Sequence, residues 1–85
     1  MSNVRDNFIG PFEDINLPAH ILKFDKNVSV EEAMTKAMAR SECGAIVFTD
    51  DNKVYYKTIS HDEAIEKLKE AHTIPGHTLY IKKKN

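Results

Sequence analysis

The side chains best equipped for chemistry in this sequence are few and scattered. Lys53-Val54-Tyr55-Tyr56-Lys57 and Thr78-Leu79-Tyr80-Ile81-Lys82 set aromatic rings beside ammonium groups. That combination can hold single-stranded nucleic acid by stacking bases and neutralising the backbone. Cys43 is the sole thiol, and its neighbours Glu42 and Gly44 give it no cationic activation, so it reads as a small apolar residue destined for burial. His72 and His77 flank Ile74-Pro75-Gly76 without any paired Cys or His spacing, so no metal site is expected. Asp50-Asp51-Asn52 lacks the remaining ligand positions of a calcium loop and fits a hairpin turn. Gly10, Gly44 and Gly76 make no phosphate-cradling loop, and no spacing brings an acid and a base together. No catalytic residue and no cofactor are therefore expected, and the chain reads as a non-enzymatic binding or regulatory module.

The elements that must position these residues follow from periodicity. Ala19 to Phe24 predicts a strand, closed by Asp25-Lys26-Asn27. Ser29, with Glu32 three positions on, writes a helix start; Val30, Ala33, Met34, Ala37 and Met38 form one apolar stripe, and Gly44 suits the stop. Gly44–Thr49 and Lys53–Ile59 read as a β-hairpin. Ser60 and Glu63 write a second helix start, with Ala64, Ile65, Leu68 and Ala71 as its buried stripe, ended by Ile74-Pro75-Gly76. Thr78 to Lys82 supplies a last strand. The order β-α-β-β-α-β predicts a ferredoxin-like α+β domain over residues 19–85, with a four-stranded antiparallel sheet and two helices on one face. Residues 1–18 hold Gly10-Pro11 and Leu17-Pro18 and follow no clean period, so they read as an irregular N-terminal arm.

Two surfaces follow from that architecture. The arm carries Phe8, Ile9, Phe12, Ile15 and Leu17, more apolar surface than so small a domain covers easily, which points to a protein partner or to a second copy in a homodimer. The open sheet face carries Lys23, Tyr55, Lys57, Tyr80 and Lys82, the alternative site, for single-stranded nucleic acid.

Val28-Ser-Val-Glu-Glu-Ala-Met, Gly44-Ala-Ile-Val-Phe-Thr-Asp-Asp-Asn-Lys and Thr58-Ile-Ser-His-Asp-Glu-Ala-Ile together resemble one repeat of a CBS domain, over residues 28–68. The resemblance implies adenine-nucleotide binding through Ser60 and Glu63, at a site that one repeat alone would complete only as a dimer.

Composition sets the outer bounds. At 85 residues, with 41% hydrophobic and 29% charged, the chain has room for a single core. A net charge of −1 disfavours a general polyanion binder. No charged-then-apolar leader and no bilayer-length apolar run is present, so a cytoplasmic protein without membrane contact is expected.

Overall fold

The computed structural model describes residues 3–84; Met1 and Ser2 of the expected arm, and Asn85, lie outside the described residues. A single 3-10 turn (Val4–Asn7) leads into β1 (Phe8–Asn16), β2 (His20–Lys26), α1 (Val30–Met38), β3 (Cys43–Phe48), β4 (Lys53–Thr58), α2 (His61–Leu68) and β5 (His72–Lys82). The expected β-α-β-β-α-β run is present as β2 to β5, preceded by an additional strand. Both helices begin where the sequence says: the Ser29 hydroxyl accepts the Glu32 amide at 3.1 Å, and the Ser60 hydroxyl accepts the Glu63 amide at 3.2 Å.

The strand order is β1-β5-β3-β4-β2, antiparallel at every pairing, which corrects the expected layout in three ways. The sheet has five strands, because the supposed arm pairs along β5. Its alternation is illegible in sequence since the register slips twice, between Ile9 and Phe12 and again between Glu13 and Ile15, and each slip resets which residues face inward. The last strand also begins at His72, so Ile74-Pro75-Gly76 lies inside β5 and does not end a helix.

The third correction concerns the helices, which lie on opposite faces of the sheet. Ala33, Met34 and Ala37 of α1 pack with Ile46, Val54, Tyr56 and Tyr80, whereas Ala64 of α2 packs with the alternate residues Ala45, Val47, Leu79 and Ile81. Topology explains the split. Each helix links two parallel strands across one intervening strand, β2 to β3 around β4 and β4 to β5 around β3. Both crossovers travel in the same direction across the sheet but start from antiparallel strands, so crossovers of the same hand must fall on opposite sides. In the ferredoxin-like plan the two crossovers travel in opposite directions, which is why that plan collects its helices on one face.

Gly44 is a strand residue rather than a helix stop. The start of β3 runs so close to the segment entering α2 that a Cβ at Gly44 would lie 1.9 Å from the Ile59 carbonyl oxygen. β1 and β2 occupy opposite edges of the sheet, and their linker, Leu17-Pro18-Ala19, returns over the α2 face, where Leu17 is buried among Val47 and Leu79. Lys67 of α2 donates to the Pro18 carbonyl at 2.9 Å and ties the linker down.

Candidate functional site

Once α2 and the linker are in place, part of the α2 face stays uncovered: the strip formed by β2 and β4. A register shift between Ile21 and Lys23 lets Ile21 and Phe24, three positions apart, point to the same side. They are 48% and 52% exposed, the most open large apolar side chains among the described residues. Phe24 leans on Tyr55, with ring centroids 5.9 Å apart. The apolar strip therefore runs along an edge strand.

Beside it opens a cavity of about 440 Å³. Tyr55 and Lys57 of β4 and Ile21 of β2 form one wall, and Asn16 and His77, from the β1–β5 ribbon, form the other. The β3–β4 turn closes one end with Thr49, Asp50 and Asp51. Gly76 permits this closure: it sits at φ +87°, where a Cβ would lie 2.8 Å from the Asp50 carboxylate, and its amide donates to Asp14 at 3.1 Å.

Electrostatics single out Lys57. It is 5% exposed and takes part in none of the ion pairs formed among the described residues, and burial holds its ammonium below the ordinary lysine range. Asn16 Oδ1 and His77 Nδ1 are buried without a hydrogen-bond partner in the protein. Asp51 is occupied: the Thr49 hydroxyl donates to it, and Lys53 approaches at 3.3 Å.

The residues singled out from sequence are dispersed by this architecture. Phe8 and Leu17 are buried in the chain's own two cores, and Ile9, Phe12 and Ile15 pack, partly buried, against the α2-side cluster, so much of the apolar surface of this segment is used within the chain. Of the alternative nucleic-acid set, Tyr55 and Lys57 share the α2 face, with Lys57 buried. Tyr80 is buried on the α1 face, and Lys23 extends over the Tyr56 ring on that same side. Lys82 donates to the Arg40 carbonyl at 2.9 Å. A single Tyr/Lys platform is thus not assembled, because Tyr80 pairs with Ile46 on the α1 face and the register shift after Ile21 turns Lys23 to that side, away from Tyr55 and Lys57. Ser60 and Glu63 meet as a helix cap and border a shallow depression with Glu42 and Thr58.

Among the described residues no group of three or more His, Cys, Asp or Glu is placed to hold a metal ion, and no helix is long and apolar enough to cross a membrane. Cys43 is buried, and desolvation raises its thiol above the usual range. Asn16 and Thr49 escaped sequence reasoning: single polar residues at a strand end and a turn carry no spacing signal, and only the tertiary fold brings Asn16 and His77 to one cavity with Tyr55 and Lys57 of β4. Comparisons of the chain with protein-family models, with curated proteins and with solved structures find no match.

Proposed function

We infer that the protein is a non-enzymatic binding module whose contact surface is the uncovered strip along β2, and that its partner there is a second copy of the same chain. The observation that carries this reading is the exposure of Ile21 and Phe24 on one side of an edge strand, next to Tyr55. An edge strand offers unpaired amides and carbonyls, and an exposed apolar pair beside them supplies the burial that strand addition needs.

The sequence of β2 suits its own antiparallel pairing. With a two-fold axis between Leu22 and Lys23, Ile21 of one copy meets Phe24 of the other, His20 meets Asp25, and Leu22 meets Lys23. Like charges are not opposed at any of these positions, and the bulge that turns Ile21 and Phe24 to one side makes their contact possible in both copies.

Light scattering during size-exclusion chromatography tests this directly. The wild-type chain is expected at twice its 9.7 kDa mass, and Phe24→Asp at the single mass with an unchanged circular-dichroism spectrum. A wild-type chain that stays monomeric up to millimolar concentration would overturn the reading.

A further inference from the structure

We propose that the cavity between β4 and the β1–β5 ribbon is a binding site for a small organic monocarboxylate with an apolar body, anchored by Lys57. This goes beyond self-association and does not rest on it, since Lys57, Asn16 and His77 lie within one chain.

A lysine that is 5% exposed and unpaired among the described residues is costly to keep charged, yet it lines a cavity and is not sealed in apolar packing. A bound carboxylate would give that ammonium the counter-charge the protein does not provide. Asn16 and His77 line the same cavity, each with a buried polar atom lacking a protein partner; toward a carboxylate, His77 can donate from a protonated Nδ1 and Asn16 only from its side-chain amide nitrogen, since its Oδ1 accepts. The two buried atoms without a protein partner and the lysine without an ion pair thus belong to residues that line one cavity.

The rest of the lining selects the ligand. Asp50 and Asp51 stand at the turn end, so a phosphate, with its greater negative charge, is repelled more strongly than a monocarboxylate. Ile21 and the Tyr55 ring offer an apolar wall that suits an aryl or alkyl body. A volume of about 440 Å³ accommodates such a molecule.

The experiment is a titration of the isotope-labelled full chain with benzoate, hexanoate and inorganic phosphate, followed through amide NMR shifts. It is run on the wild type, on Phe24→Asp and on Lys57→Met. Saturable shifts at Asn16, Tyr55, Lys57 and His77 are expected with a carboxylate in the wild type and also in Phe24→Asp, which separates this site from self-association. Lys57→Met, whose retained fold the same spectra check, should weaken binding roughly tenfold or more, the scale of a lost hydrogen bond to a charged group. The proposal is overturned by an absence of saturable shifts up to millimolar carboxylate, by unchanged affinity in Lys57→Met, or by phosphate binding as tightly as the carboxylates. Should Lys57→Met fail to fold, Asn16→Leu and His77→Leu carry the same expectation of weakened carboxylate binding, and unchanged affinity in both would overturn it.

Discussion

Tyr56 and Asp25 are joined across the β2–β4 pair by a hydrogen bond of 2.8 Å, the phenol donating to the carboxylate. Lys36 of α1 approaches the same oxygen at 3.3 Å, so one carboxylate connects an edge strand, a central strand and a helix. The Tyr56 hydroxyl, followed by Lys36, holds the Asp25 carboxyl below the ordinary range, while burial, reinforced by Asp25, pushes the Tyr56 phenol up. Tyr56→Phe should therefore cost about 1–3 kcal/mol in urea denaturation at neutral pH. A depressed carboxyl contributes stability that is present above its unfolded value and lost as pH falls through its folded value. The acid loss of stability should thus be shallower in Tyr56→Phe than in the wild type; parallel curves would show that the bond does not link stability to pH.

Lys57 gives a pH signature of the same sign in the alkaline window, where the lowered value marks a cost of burial and not a stabilising bond. Its ammonium is held down by burial, so between the depressed folded value and the ordinary lysine value the unfolded chain binds more protons. Stability referred to Lys57 consequently rises with pH across that window. Lys57→Met removes the desolvation cost and should gain on the order of 1 kcal/mol at neutral pH. That advantage should shrink as pH climbs through the lysine range. Guanidinium unfolding at a series of alkaline pH values, compared between variant and wild type, checks both the sign and the window.

Gly44 bears the tightest backbone approach among the glycines. A methyl group there would collide with the Ile59 carbonyl, which belongs to the backbone and cannot swing aside as a flexible side chain would. Gly44→Ala should cost more than the ~1–3 kcal/mol typical of an overpacked core. Scanning calorimetry should register a large drop in melting temperature, and a shift of only a degree or two would mean that β3 and the entry to α2 can separate.

The chain's local grammar is readable at both helix starts and at the β3–β4 turn, though not at Gly44 or Ile74-Pro75-Gly76, which lie in strands. Ser29 and Ser60 cap the helices they were expected to cap, Ala33, Met34 and Ala37 of the expected stripe are buried while Met38 is exposed, and the hairpin turns at Asp50-Asp51-Asn52. Each of those features is decided within a few residues by cap chemistry or apolar spacing. What stayed hidden depends on pairing between distant segments. The strand character of Phe8–Asn16 is masked by bulges and exists because β5 is there to receive it. The helices part to opposite faces because β3 and β4 sit together at the centre, a choice that β-α-β-β-α-β order alone leaves open. Lys57 was picked out by residue type, but its burial follows from neighbours that no local pattern announces.

The place of β5 in the sheet has a consequence for how the chain acquires its shape. It follows β1 to β4 in the chain, yet lies between β1 and β3, and the Lys83 amide donates to the Asn7 carbonyl at 2.8 Å. Until β5 emerges from the ribosome, β1 lacks the neighbour it pairs with in the sheet and β3 keeps an open edge. A nascent chain halted before His72 would hold two sticky ribbons and half a core, a species prone to joining its own kind rather than waiting.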